Sequence, residues 1–316
     1  MLAKERKQMG ELQVVDLFSG CGGLSLGFQN AGFNVIAAFD NWRPAIEVYK
    51  LNFEHPIIEQ DLNDVEEAVT KIVGFEPDII VGGAPCQDFS TAGHQDESKG
   101  RAVLSVRFAE AVVAVRPKYF VMENVATIRN TESFAAVIKL LSRAGYGLTQ
   151  RVLDASYCGV PQRRKRMFLI GAQDAQDGFL ESYLDAAMSP VPMSIRDYLG
   201  DSLGIDHYFR VPTNYSRRAV FSIDEPSMTI RAVDRPIPSG YKGNPNDSAP
   251  VSEVRGLTPR ERSLIQTFPE TFNFVGSKGD INAMVGNAVP VNLASFVARA
   301  LGRYISDEET DETTSS

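Results

Sequence analysis

Up to about residue 172 the chain repeats one pattern: a short apolar run, a turn, then a stretch with helical spacing. "VVDLF" (14–18) runs into glycines and then "GLSLGFQNAG", and "NVIAAF" (34–39) runs into "WRPAIEVYKLNF". "DIIV" (78–81) and "YFVM" (119–122) flank the strongly helical "AVLSVRFAEAVVAV". "ESFAAVIKLLSRAGYG" is a further helix closed by glycine, and "MFLIG" (167–171) is a late strand. Strands alternating with helices predict right-handed crossovers around a parallel sheet, an α/β fold. In such sheets ligands lie beyond the carboxyl ends of the strands, so the residues just after each apolar run are the first candidates for chemistry.

Beyond residue 172 the texture changes. Residues 186–255 are rich in Pro, Ser, Asp, Arg and Tyr, with short broken apolar stretches, and predict a smaller unit of short strands and loops. "TPRERSLIQTF" (258–268) is helical, capped by Thr258, with Pro259 in the first turn and Glu261 three residues after the cap. "GNAVPVNLASFVARALG" is an amphipathic helix able to pack back on the first unit. The expected division is 1–185 for the sheet domain, 186–278 for the small domain, 279–304 for the returning helix and 305–316 for a disordered acidic tail.

The chain has 316 residues and a net charge of −8, which at first argues against a nucleic-acid partner. The charge is unevenly spread. Residues 207–262 hold nine Lys/Arg against six Asp/Glu, so this segment is +3 while the remainder is −11. A local basic face is therefore allowed. No apolar run approaches the roughly 18–20 residues that span a bilayer, and the charged start "MLAKERKQMGELQ" is no signal peptide. Three scattered cysteines (21, 86 and 158) suit neither a disulfide framework nor a metal site, and a reducing cytoplasm is the expected home.

Several residues after strands could carry chemistry. In "DLFSGCGGLSLG" a strand enters glycines and then a helix, as at nucleotide sites, but Ser25 stands where a dinucleotide fingerprint has its third glycine. That serine weakens an NAD-dependent oxidoreductase reading. Asp40 follows the second strand, where ribose hydroxyls are usually held, and Asp61 follows the third. Cys86 in "GGAPCQDFS" and Glu123 in "MENV" end neighbouring strands and can face one cavity. Taken singly, Cys86 is better read as an inert loop thiol and Glu123 as an exposed or ion-paired carboxylate; together with the nucleotide-type turn they favour a site. "QRRKR" (162–166) is either a solvated rim or a binder of phosphate or carboxylate.

"DLFSGCGGLSLG", "GGAPCQDFS", "MENV", "QRRKRMFLIG", "RERSLIQTFP" and "GNAVP" occur in the order of the motifs of C5-cytosine DNA methyltransferases. The chain resembles the compact prokaryotic or phage form of that family over nearly its whole length, except about 186–254. The resemblance implies a Rossmann-like sheet that uses S-adenosylmethionine, releases S-adenosylhomocysteine and needs no metal, with a smaller, mostly β and loop, target-recognition domain. It implies Cys86 as the thiolate that adds to C6 of a flipped cytosine, Glu123 as the group at N3 and the exocyclic amine, and Arg166 on the base carbonyl. Arg164 would orient the cysteine loop or a phosphate.

For the cofactor the resemblance implies Phe18, Gly20, Gly22, Gly23, Asp40, Trp42, Asp61, Gly83, Pro85, Leu104, Asn287 and Val289. For DNA it implies Gln87, Ser90, Arg101, Arg217, Arg218, Arg231 and Arg235, with His94 at most a backbone contact. The loop "CQDFSTAGHQDESKGR" has the composition of a closing lid. The implied partner is double-stranded DNA. A cognate endonuclease in stable complex, a membrane and a second copy are not expected. The rival readings are C5 methylation of RNA and an inactive DNA-binding regulator; the Cys-Phe-Thr signature of the RNA branch is absent.

Overall fold

A computed structural model describes residues 9–85, 103–214 and 216–314. The sheet strands are β1 (Gln13–Leu17), β2 (Asn34–Asp40), β3 (Ile57–Glu59), β4 (Ile79–Gly82), β5 (Tyr119–Val125), β6 (Tyr146–Asp154) and β8 (Lys165–Gln173), with β7 (Gln162–Arg163) just before β8. Their order is β3-β2-β1-β4-β5-β8-β6. The strands from β3 to β5 pair in parallel, and β8 runs antiparallel to both β5 and β6. The sequence pattern had suggested a parallel sheet throughout and missed β6. "YGLTQRVLD" is buried mainly along its first half, so its apolar run is short.

The order reverses between β1 and β4, which opens a crevice at their carboxyl ends. Side chains alternate across each strand. Val14, Ile79, Tyr119 and Val121 face one core, and Val15, Leu17, Ile80, Phe120 and Met122 face the other. The first core is covered by α1 (Gly23–Asn30), with α6 (Glu181–Ala187) and α10 (Val291–Thr314). The second is covered by α3 (Val65–Val73), α4 (Val103–Val115) and α5 (Glu132–Arg143). Between β2 and β3, α2 (Arg43–Asn52) packs Ala45 and Val48 against Phe268, Phe272 and Met284.

The small unit holds α7 (Ile195–Leu199), the antiparallel pair β9 (His207–Phe209) and β10 (Val220–Ser222), and β11 (Ser227–Met228). With α8 (Pro259–Ile265) and α9 (Lys278–Asn287) it gathers a core around Tyr208, Phe221, Ile223, Ile265 and Val285. Thr258 and Glu261 form a reciprocal capping box at the start of α8. Strand β11 pairs with β7, so the small unit is stitched directly to the stretch that leads into β8.

The single returning helix expected from "GNAVPVNLASF" is two helices broken at 288–290, where Pro290 cannot continue α9. Helix α10 then runs on to Thr314, through most of the stretch expected to be disordered. It is anchored by buried Tyr304 and Ile305, and Glu308 accepts from Tyr304. By length and composition, residues 278–308 could cross a bilayer, contrary to the sequence reading; 72% of the apolar window is buried inside the protein, as in a core helix. Gly27 lets α1 and α10 touch: a Cβ there would collide with that of Ala294.

Candidate active site

The site is assembled from the carboxyl ends of β1, β4 and β5. Period two places Glu123 on the same sheet face as Tyr119 and Val121. On the neighbouring strand Arg166 has the same parity as Phe168, which is registered opposite Glu123. The two charged side chains therefore meet, with Arg166 Nε 2.9 Å from Glu123 Oε1. Glu123 is 7% exposed. Burial raises its pKa above the ordinary carboxyl value, against the opposing pull of Arg166 and then Arg164.

Two glycines let other segments close on this carboxyl. A Cβ on Gly83 would stand 3.2 Å from Glu123 Oε2 and 3.9 Å from Val289 Cγ2. A Cβ on Gly23 would collide with the carbonyl of Val289. The glycine turn, the end of β4, Glu123 and the break between α9 and α10 thus share one corner. Asn124 Nδ2 reaches Ala84 O at 3.2 Å and Ser105 Oγ at 3.3 Å, tying the segment after β4 to the end of β5. Cys86, Gln87, Ser90, His94 and Arg101 lie outside the described residues; Pro85 is exposed just before them.

The turn after β1 is held open by backbone conformation. Phe18 has φ 56°, a strained value for a bulky side chain, followed by Gly20 at 54° and Gly22 at 96°. The N-cap residue of α1, Gly22, has no side chain to cap it, and Asp16 takes the Ser25 N–H of the first turn, which leaves the earlier N–H groups as candidate donors to a ligand carboxylate. Asp40 accepts from Gly20 N and from Trp42 N, each at 2.8 Å, which fixes the turn to the end of β2. Trp42 packs beside α2 and Phe268, Leu104 lies half-buried in the first turn of α4, and Asn287 is exposed at the end of α9. Asp61 is exposed and accepts from Asn63 N and Nδ2.

Burial along "QRRKR" alternates. Gln162 and Arg164 point inward, while Arg163 and Lys165 are exposed. Arg164, expected to orient the cysteine loop or a phosphate, meets backbone carbonyls among the described residues, and the loop from Cys86 onward lies outside them. It is 1% exposed, and its Nη atoms donate to Ile230 O (3.0 Å), Gly286 O (2.9 Å) and Ala288 O (3.1 Å). Beside it Gln162 Nε2 donates to Gln266 Oε1 (2.6 Å) and Ile230 N donates to Gln162 Oε1 (2.9 Å). This polar joint ties the sheet to the small unit and to the segment carrying Val289.

A family model described as C-5 cytosine-specific DNA methylase matches residues 12–303. The chain belongs to the C-5 cytosine-specific DNA methylase family. It is 56% identical to the Type II methyltransferase M.HindV of Haemophilus influenzae, over 92% of this chain and 96% of that one. It is 51% identical to M.HgiDI of Herpetosiphon aurantiacus, over 93% and 95%. A solved prophage-encoded DNA modification methyltransferase of E. coli shares the fold, with a TM-score of 0.67 at 24% identity, covering 93% of this chain and 99% of the other.

The cations of this methylase's small unit divide into two groups. Arg218 donates to Val220 O (2.9 Å) and Ser248 Oγ (3.0 Å), pairs with Glu225 and lies 4.4 Å from the centre of the Phe221 ring. It is held by the unit's own fold. Arg255 pairs with Glu261, and Arg262 with Asn282 and Asp234. Arg217, Arg231 and Arg235 are exposed and make no ion pair among the described residues.

The sequence reading passed over a buried string beneath the glycine turn. Asp16 Oδ2 accepts from Ser25 Oγ (2.6 Å) and Ser25 N (3.1 Å), Tyr49 OH donates to Ser25 Oγ (2.7 Å), and His55 Nε2 lies 2.6 Å from Tyr49 OH. Burial pushes the Asp16 carboxyl up to about 7. The serine that broke the dinucleotide fingerprint is the centre of this string. The signal available was an Asp inside an apolar strand, "VVDLF".

Proposed function

We propose that this methylase modifies C5 of a cytosine flipped out of duplex DNA, at a specific sequence, within a prokaryotic cytoplasm as the modifying half of a restriction system. S-adenosylmethionine suits the corner described: the first N–H groups of α1, ahead of the Ser25 N–H that Asp16 takes, for its carboxylate, strained Phe18 beside the turn, and glycines Gly23 and Gly83 that leave room against Val289. Phe18, Gly20, Gly22, Gly23, Asp40, Trp42, Gly83, Pro85, Leu104, Asn287 and Val289 would hold it, with Asp61 at its adenine end. Bound there, the cofactor supplies an electrophilic methyl group and leaves as S-adenosylhomocysteine.

The chain's own residues do the rest. The Cys86 thiolate adds to C6, and the electron pair of the C5–C6 bond moves toward C5. Glu123 delivers a proton to N3 as charge builds there, a role served by its raised pKa. Arg166 holds the base carbonyl and keeps Glu123 in place. After methylation at C5, a base removes the C5 proton, the Cys86–C6 bond breaks with its electron pair leaving on sulfur, and the N3 proton returns to Glu123, restoring aromaticity and both enzyme groups. Flipping is required because a stacked base cannot present its face to a thiol; unstacking costs a few kcal/mol.

The observation carrying this reading is the buried Glu123–Arg166 pair at 2.9 Å, set against Gly83 two residues before Pro85. Incubation with duplex DNA containing 5-fluorocytosine at the target, plus S-adenosylmethionine, is expected to yield a stable protein–DNA adduct at Cys86. Cys86→Ser should give none, and Glu123→Gln should form it about 10²–10⁴-fold more slowly. No adduct with the wild-type chain would sink the mechanism.

A further inference from the structure

Arg164 gives its Nη atoms to backbone carbonyls, and a cationic recess lies just across the same joint. It is lined by Arg210, Thr229, Ile230, Arg231, Asp234 and Arg262, over a floor of Tyr208 and Leu257. Three guanidiniums face one carboxylate. Arg262 is already engaged with Asn282, with Asp234 and with the Arg231 carbonyl. Arg210 is half-buried and makes one long hydrogen bond, Nη2 to Thr229 O at 3.2 Å. Burial, then Arg231 and Arg262, pull it down to about 10, so it stays charged at neutral pH without an anionic partner.

The backbone around Arg231 is mounted rigidly. Thr229 Oγ1 donates to Arg163 O (2.7 Å), Gln162 and Arg164 hold both polar groups of Ile230, and Arg262 holds the Arg231 carbonyl. Gly286 is needed because a Cβ there would collide with the Arg231–Ala232 backbone. From this fixed mount the Arg231 side chain projects into solvent beside the recess.

We propose that Arg210 and Arg231 form a clamp for one DNA backbone phosphate, which positions the duplex at the joint rather than reading its sequence. The inference rests on the DNA-modifying function proposed above. Shape favours a phosphate over a base edge. The recess is about 30 Å³, room for one oxygen-sized group, and a base edge lies at the bottom of a groove and cannot enter a hollow. Two cations from adjacent segments converging on one oxygen fit a phosphate, the commonest partner of arginine in DNA complexes. The segment that grips the phosphate is the one Gln162 and Arg164 hold, four and two residues before Arg166.

The test measures duplex binding and its salt dependence for the wild type, Arg231→Ala, Arg210→Ala and the double variant. The probes are duplexes with and without the methylated sequence found by bisulfite mapping. Both single variants are expected to weaken the two duplexes by the same factor and to make the slope of log K against log salt shallower by about one. One neutral methylphosphonate near the target should weaken the wild type but not further weaken the double variant. Relaxed specificity at a single base pair with an unchanged salt slope would overturn the clamp, as would unaltered binding by Arg231→Ala, whose exposed side chain can be removed without threatening the fold. If the wild type failed to bind any duplex, the DNA reading itself would fall, which is a distinguishable result.

Discussion

Asp16 and Glu123 are both carboxyls inside an apolar sheet, and they differ in company. Glu123 has two arginines nearby; Asp16 has only neutral donors, and its Oδ1 has no partner. Its folded pKa of about 7 stands above the ordinary 3.8, so the folded state binds the proton more tightly than the unfolded state. Stability from this group is complete below about pH 4 and is lost as pH rises toward 7, by at most about 4 kcal/mol. Denaturant titrations from pH 4 to 8 should show this decline in the wild type and a flatter profile in Asp16→Asn. Burial likewise pushes the Cys21 and Cys158 thiols up to about 12. A maleimide at neutral pH should therefore label no more than one thiol per native chain, and none in Cys86→Ser, by intact mass.

Helices and strands show what pattern can and cannot reveal. The capped start of α8 was legible because Thr258, Pro259 and Glu261 are local signals. Glu123 and Arg166 were legible from motif order, but their contact depends on antiparallel pairing of β5 with β8, which periodicity does not encode. In "QRRKR" the motif order singled out Arg164 and Arg166, and strand alternation shows that Arg164 is buried while Arg163 and Lys165 are exposed. Arg164→Ala should leave three carbonyls, from three positions in two segments, without their shared donor. Hydrogen bonds to charged groups contribute about 1.5–3 kcal/mol each, non-additively, so a loss of several kcal/mol is expected. Hydrogen exchange should show residues near 230 and 286–288 losing protection together; if only one of the two loosened, the joint would not be a single unit.

Taken whole, the molecule is acidic while the segment 207–262 is not, and the structure sharpens that contrast. Arg218, Arg255 and Arg262 of the basic segment are internally paired, leaving Arg210, Arg217, Arg231, Arg235, Lys242 and Arg260 without an ion pair among the described residues. Composition could reveal the +3 excess but not which members were free, because pairing is set by tertiary neighbours. With even two phosphates neutralised, raising salt from about 50 to 200 mM should weaken duplex binding at least about tenfold. A fluorescence-anisotropy series checks this, and a flat response would remove electrostatics from the account.

The contact of Gly23 with the Val289 carbonyl joins positions 266 residues apart in the chain. On a ribosome, the glycine turn therefore emerges long before the segment that completes its pocket. Methyl-donor binding must await nearly the last of translation, so a product stopped short of residue 289 is expected to be silent on DNA rather than active with loosened selectivity.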